Sequence, residues 1–378
     1  MSSYLNIESH RSMVFDAVRN TAYARAIRDA VRPGCTVLDL GAGLGIHGLL
    51  AAAAGAGKVI LLDPSPVVEL AADIARKNGI SGQVEIIRKS IAEVDSLAPV
   101  DLIVSVFAGN FLLSEDLLPY LFSARERFLK PGGAMIPGMA RMKAALLCAG
   151  EYYEKHVVRW SQPILDVDFS PIRRFAANTI YYDSAATVGG QLLSQPVQLQ
   201  ALDFTTAKVA ECRSQVEIPV ERSGTCHGLL GWFDLQLGDA WLSTGPDAEP
   251  MHWSVAFLPL DPPLELTVGE TLQLELDRPE FGEWTWTVTR GAQRQRHSTF
   301  GSNLADLSYF KKISPDRAPS LGRKGEFAML VLSQLAAGAT VAELTALVKS
   351  RLPELAEHDP QLDKRIRNLI AEWGAEVV

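Results

Sequence analysis

Val37-Leu38-Asp39-Leu40-Gly41-Ala42-Gly43-Leu44-Gly45 decides the fold of the first part of the chain. A short apolar run enters a turn with three glycines, and the Ala/Leu-rich segment Gly48–Ala54 beyond it reads as a helix. Such a turn needs glycine because its backbone takes dihedrals other residues avoid and lets a ligand approach closely. Gly43-Leu44-Gly45-Ile46-His47-Gly48 spells G-x-G-x-x-G, and Asp63 lies twenty residues beyond Gly43, which taken alone is the dinucleotide fingerprint. Asp39 argues against that reading. A carboxylate inside the strand, two residues before Gly41, repels a pyrophosphate and accepts hydrogen bonds from a cationic or zwitterionic ligand.

Outward from this turn, strand-like and helix-like segments alternate. Thr36–Leu40, Lys58–Leu62, Val84–Ile87 and Leu102–Val106 read as strands. Gly48–Ala54, Val67–Lys77 and Leu117–Leu129 read as helices, the last stopped by Pro131-Gly132-Gly133. The pattern predicts an α/β, Rossmann-like domain with a parallel sheet over residues 1–137. From 138 to 312 the rhythm changes. Val197–Phe204, Lys208–Ile218, Thr271–Leu276 and Trp284–Thr289 alternate between Gly, Pro, Asp and Ser clusters, as in an antiparallel β-barrel or sandwich. Trp160–Tyr182 interrupts that rhythm. The remainder, 313–378, reads as a small helical domain with helices at Phe327–Leu335, Val341–Arg351 and Leu362–Trp373.

The chain has 378 residues, 47% hydrophobic and 21% charged, with a net charge of −8. These values fit a soluble protein of two or three domains and exclude wholesale disorder. No apolar run reaches the ~20 residues of a membrane span, and Met1–Met13 lacks the basic-then-apolar order of a secretory signal. The acidic balance makes general nucleic-acid binding unfavourable. Residues 315–378 carry eight basic and nine acidic side chains, so the helical tail also lacks the charge to grip phosphates. Cys35, Cys148, Cys212 and Cys226 stand singly, with no zinc spacing; free thiols in a reducing cytoplasm and no metal site are expected.

The glycine turn, Asp39 and Lys130-Pro131-Gly132-Gly133 together resemble class I methyltransferases that use S-adenosylmethionine (SAM). The resemblance implies that Gly41, Gly43 and Gly45 approach the methionyl part of SAM. It implies that Asp63 takes the two ribose hydroxyls, and that Ser90 and Ile91 belong to the cofactor-binding residues. S-adenosylhomocysteine would be the product.

His10-Arg11-Ser12-Met13-Val14-Phe15-Asp16-Ala17-Val18-Arg19 narrows the family, because it resembles the H-x-x-M-x-x-D-x-x-R of protein arginine methyltransferases. Read on one helix, Met13, Asp16 and Arg19 share a face. The resemblance implies that Met13 packs near the sulfonium, that Arg19 pairs with the SAM carboxylate, and that Tyr4 and His10 belong to the cofactor site. Cys226–Asp234 and Leu242–Pro246 look like the family's barrel strands. Met251-His252-Trp253 stands where the family has Thr-His-Trp, which implies a pairing of His252 with Asp16. It implies too that Trp160–Tyr182 is the arm of a head-to-tail homodimer. The tail, with Gly338–Leu344, faintly resembles winged-helix modules of PqqD type, which hold leader peptides.

One loop departs from the family. The relatives carry Ser-Glu-Trp-Met-Gly-Tyr followed by a second glutamate. Here Ser105-Val106-Phe107-Ala108-Gly109-Asn110 leads to Glu115, so Val106 replaces the first glutamate and Asn110 the tyrosine. Two carboxylates neutralise a guanidinium and restore lone-pair density to one nitrogen. Loss of a partner for a buried charge costs about 3–5 kcal/mol. The acceptor expected is a nitrogen of a peptide, protein or arginine-like side chain. A less cationic small-molecule or ribosomal-peptide acceptor, completion of the clamp by another acid, and a non-catalytic scaffold remain open. Glu115, His252 and Asp16 are the candidate catalytic residues, with Ser105, Val106 and Asn110 in the substrate loop.

Overall fold

The structure is a computed structural model that describes residues 7–304 and 307–374. Two compact units divide the chain after Asn303. The first opens with α1 (Ile7–Val14) and α2 (Ala17–Ala30) and continues as β1 (Thr36–Leu40), α3 (Ile46–Ala53), β2 (Lys58–Leu62), α4 (Leu70–Lys77), β3 (Val84–Ile87), β4 (Val100–Ser105), α5 (Leu118–Phe128) and β5 (Leu129–Ile136). The five strands form a parallel sheet in the order β3-β2-β1-β4-β5. Val37, Leu38, Asp39 and Leu40 are all buried, as expected for a central strand covered on both faces. Leu40 lies opposite Leu62 on one side and Ser105 on the other. The glycine turn, Asp63 and the loop after Ser105 therefore leave the sheet at one level, at the carboxyl ends where open α/β sheets bind ligands.

Three local expectations change. Met13, Asp16 and Arg19 do not share one helix, because the helix breaks after Val14 and Asp16 becomes the N-cap of α2, its side chain accepting from Arg19 N at 3.0 Å. An aspartate satisfies the amides of a new helix better than it extends an old one. Val67–Lys77 divides into a 3₁₀ turn, Pro66–Glu69, and α4. Pro131-Gly132-Gly133 does not merely stop a helix but lies within β5, which turns extended at Leu129 and pairs with Val100.

The β part contains β6 (Met139–Cys148), α6 (Gly150–His156), α7 (Arg173–Ala176), β7 (Tyr181–Asp183), α8 (Ala185–Val188), β8 (Gln191–Leu192), β9 (Val197–Asp203), β10 (Cys212–Pro219), β11 (Gly224–Leu237), β12 (Ala240–Ser243), β13 (Val255–Leu266), β14 (Thr271–Arg278), β15 (Thr285–Arg290) and β16 (Gln293–Ser298). One sheet runs β10-β14-β15-β16. The other runs β7-β13-β11-β6-β8, with β12 on β11 and β9 on β6. The strand expected from Lys208 begins at Cys212. Apolar side chains of both sheets and of the parallel sheet join one core. Residues 160–182 hold two short 3₁₀ turns, α7 and the start of β7.

The second unit holds α9 (Leu307–Ile313), α10 (Arg323–Ala336), α11 (Val341–Arg351), α12 (Pro353–His358) and α13 (Leu362–Trp373) around Phe327, Val331, Leu344, Val348, Leu362 and Ile366. The three helices expected are present as α10, α11 and α13, and among the described residues α12 is added between them and α9 ahead of them. No strand occurs among its described residues, so the described part has no winged-helix wing. The four cysteines are free, and no described helix is long and apolar enough to cross a membrane.

Candidate active site

The glycine turn is held from below and from the side. Gly41, Gly43 and Gly45 all have positive φ, and Gly45 caps α3 in the left-handed conformation. The Phe107 ring lies so close to Gly41 that a Cβ there would stand 2.1 Å from it. His10, buried, covers Gly43 in the same way at 3.1 Å. Asp63 reaches back from the end of β2: one oxygen accepts from Gly43 N at 2.8 Å and the other from Ser65 N at 2.8 Å. Each oxygen keeps capacity for another donor, since a carboxylate has about four acceptor positions. Ser90 and Ile91 lie beyond β3, where Ser90 caps a 3₁₀ turn through Ala92 N and Ile91 is buried.

Beneath the turn lies a buried polar group. Asp39 accepts from Gly48 N at 2.7 Å, and burial pushes its carboxyl up to about 7, against that hydrogen bond. Arg19 is 2% exposed and donates to Met13 O at 2.6 Å and to Asn20 Oδ1 at 3.2 Å. Its Nη1 is buried without a hydrogen-bond partner. Burial pulls this guanidinium below its usual range, with Tyr23, Asp16 and Asp39 opposing. His47 packs its ring 4.6 Å from that of Tyr23, and burial with the Arg19 charge holds it neutral, down to about 3. Neither His47 nor Tyr23 is among the residues that the sequence marks for the site. The position of His47 inside the glycine motif was the available signal.

The seam between the two sheets' domains closes over this turn. His252 N and Nδ1 both meet Asp16 Oδ2, at 3.0 and 3.1 Å. Burial would raise Asp16, but the hydrogen bonds from His252 and from Arg19 N, with the Arg19 charge, hold it below the usual carboxylate range. Trp253 Nε1 donates to Ala108 O at 2.7 Å, and its ring lies 5.6 Å from the Arg19 guanidinium carbon.

The loop after β4 is gripped by the β part. Ser105 Oγ donates to Leu40 O and accepts from Phe107 N, and its carbonyl accepts from Tyr23 Oη. Ser105 thus braces α2, β1 and β4. Val106 is half-buried against the core. Asn110 Oδ1 accepts from Ser254 N at 2.8 Å. Phe111 is fully buried and stacks on Trp284 at 4.9 Å. Phe111, Leu112 and Asp116 all have positive φ. Glu115 is exposed and follows Ser114, whose side chain bonds Tyr182. Burial, with the charge of Glu115, pushes that phenol up to about 12. Tyr4 lies outside the described residues.

Residues 37–133 match the family described as a methyltransferase domain, and residues 138–280 match the arginine methyltransferase oligomerization subdomain. An arginine N(omega)-methyltransferase of Streptomyces achromogenes subsp. streptozoticus is 31% identical over 278 residues, 72% of this chain and 76% of that protein. The chain belongs to the arginine methyltransferase family. Protein arginine N-methyltransferase 6 of Xenopus laevis is 30% identical over 295 residues, 75% of this chain and 84% of that protein. The structure of the Trypanosoma brucei PRMT1 enzyme–prozyme heterotetrameric complex with AdoHcy aligns with a TM-score of 0.72 at 27% identity, over 79% of this chain and 99% of that one. This arginine methyltransferase-like protein is accordingly a SAM-dependent methyltransferase. The residues at the turn suit that cofactor. The buried Arg19 nitrogen without a partner is a donor of the kind a ligand carboxylate satisfies, and the positive φ of Gly41, Gly43 and Gly45 keeps Cβ atoms off the turn that Phe107 and His10 cover.

Proposed function

We propose that the protein transfers a methyl group to a nitrogen of an arginine-type side chain, with the free amino acid as the acceptor to test first. The observation that carries this reading is the placement of Glu115 on a loop whose Phe107 ring covers the glycine turn and whose Asn110 accepts from Ser254 N, two residues beyond the His252 that binds Asp16. The name of the Streptomyces relative supports arginine itself; those of the other relatives support arginine in proteins.

SAM supplies an electrophilic methyl on a sulfonium. The chain's own residues then do the following. Arg19 Nη1 would hold the cofactor carboxylate, and Gly41, Gly43 and Gly45 would line its methionyl part. Asp39 would face the cationic end, and Asp63 would take the ribose diol. His10, Met13, Ser90 and Ile91 complete the walls. Glu115 binds and orients the acceptor nitrogen, so that positioning supplies much of the acceleration. His252, held by Asp16, takes the released proton or braces the seam.

A second reading is favoured by one observation. Val106 is apolar and half-buried where the relatives' first glutamate is expected, which suits a less cationic acceptor such as an amide, imidazole or amine of a small molecule or ribosomal peptide. A carboxylate of the substrate could replace the missing acid for arginine.

The assembly is a homodimer through residues 160–182. On this arm Trp160, Ile164, Leu165, Val167, Phe169 and Ile172 are exposed, and Leu165 reaches 92%. Four free thiols suit a reducing, cytoplasmic setting.

The decisive experiment is labelled SAM with free L-arginine, an arginine-rich peptide and a metabolite panel, read by mass spectrometry. Glu115→Gln is expected to abolish turnover while SAM affinity stays within a few-fold. Unchanged turnover would remove Glu115 from the chemistry.

A further inference from the structure

Arg278 stands at the end of β14, on the β part, and points at the acceptor loop. Its side chain is 5% exposed, and its Nη2 donates to Asp116 Oδ1 at 2.7 Å. Its guanidinium carbon lies 5.5 Å from the centre of the Trp284 ring. The Phe111 ring stacks on that same indole. Phe111 also packs against bare backbone, since a Cβ at Gly231 would stand 2.6 Å from its ring. One indole therefore meets an apolar anchor and a cation that reaches the far end of the same loop. Between those ends lies Glu115. It directly precedes Asp116, and it directly follows Ser114, whose side chain bonds Tyr182 on β7.

We propose that Arg278 is a positioning residue for methyl transfer, holding Glu115 in its working place by fixing Asp116. The inference rests on the reading of Glu115 as the acceptor's carboxylate. Arg278 itself cannot be the acceptor's partner. It is almost fully buried, one nitrogen is bound to Asp116, and its Nε is enclosed without a partner. Asp116 has φ of 53°, a left-handed conformation that an aspartate holds when its side chain is tied. Without the tie, Asp116 relaxes toward the ordinary region and rotates the peptide that carries Glu115. The asymmetry of exposure selects the variant. Asp116 is 34% exposed and stays solvated when Arg278 is removed, whereas removing Asp116 strands a buried cation.

The test uses the full chain with Arg278→Gln, Arg278→Lys and Glu115→Gln. Turnover is measured with labelled SAM on free L-arginine and on an arginine-rich peptide. SAM affinity is measured by calorimetry, and hydrogen–deuterium exchange is followed over the whole chain. Arg278→Gln is expected to lower kcat at least tenfold with SAM affinity within twofold of the parent. Exchange should quicken in 109–117 alone, and Arg278→Lys should recover part of the loss by keeping the charge. Parent-level turnover in Arg278→Gln, in a protein that Glu115→Gln silences, overturns the role of Arg278. Full turnover in Glu115→Gln overturns the reading of Glu115 instead. If neither acceptor is methylated, the exchange decides: unchanged protection of 109–117 overturns the tie. Faster exchange across 36–63 as well would make Arg278 a general structural support and overturn the proposal.

Discussion

Arg19 keeps a full charge where 2% of it meets solvent, with one nitrogen unpartnered, beside a carboxylate whose pKa burial raises to about 7. Such an arrangement is incomplete without a ligand that brings both signs of charge. The pH dependence follows from Asp39. Its folded pKa lies above the unfolded one, so the cost of burying its ionised form is full above about pH 7 and is relieved as the pH falls from 7 toward 4. A cationic ligand prefers the ionised form, so SAM affinity is expected to weaken several-fold between pH 8 and pH 6. Calorimetry on Asp39→Asn should show weaker binding that no longer follows pH over that range; an undiminished slope would clear Asp39. Asp16 has the opposite sign. Its lowered pKa contributes stability that is present above about pH 4, the unfolded value, and is lost as the pH falls through the lower folded value. Asp16→Ala loses a helix cap and the His252 tie together. Urea unfolding should register a loss of about 1–2 kcal/mol.

At the scale of elements, the strands are readable because a parallel sheet covered on both faces favours apolar runs: β1 and β2 occupy such stretches, broken only by the functional Asp39, and the edge strand β3 keeps enough apolar residues to be seen although Glu85 is exposed. The acceptor loop was readable only as a resemblance. Its shape depends on Phe111, Leu112 and Asp116 holding positive φ, at about 1–3 kcal/mol each, and no local pattern announces that. The stabilising partners, Gly231, Ser254, Arg278 and Trp284, lie more than a hundred residues away. The break between α1 and α2 was hidden for a similar reason: Asp16 caps one helix and binds His252, so a residue spaced like a helix interior is an end. Val106 gives this element its prediction. With an arginine acceptor, Val106→Glu restores a second carboxylate and should raise kcat/KM on free arginine or an arginine peptide tenfold or more. With a neutral acceptor it inserts a half-buried, unpaired charge, and turnover on that acceptor should fall. Parallel assays on the two acceptor classes separate these outcomes.

At the scale of the molecule, the site is assembled from parts that the chain brings from far apart, and the arm extends that logic. Arg173 on α7 holds Asp261 of β13 through two nitrogens, at 2.7 and 3.1 Å, and Tyr153 of α6 gives its hydroxyl to the same carboxylate at 2.7 Å. Asp261, although partly buried, is kept below the usual carboxylate range by Arg173 and Tyr153. The base of the arm is therefore tied to β13 while its tip presents Leu165 and Val167 to solvent at 92% and 53%. A monomer gains nothing from fixing exposed apolar side chains so firmly, whereas a second copy that covers them gains about 25 cal/mol for each Å² of apolar surface buried. Leu165→Asp with Val167→Asp leaves the Arg173–Asp261 base untouched and places two charges in that contact. If the proposed dimer forms through this arm, light scattering should report a dimer for the parent and monomers for the double variant at the same concentration, with circular dichroism unchanged. A dimer that survives both substitutions would move the interface away from the arm.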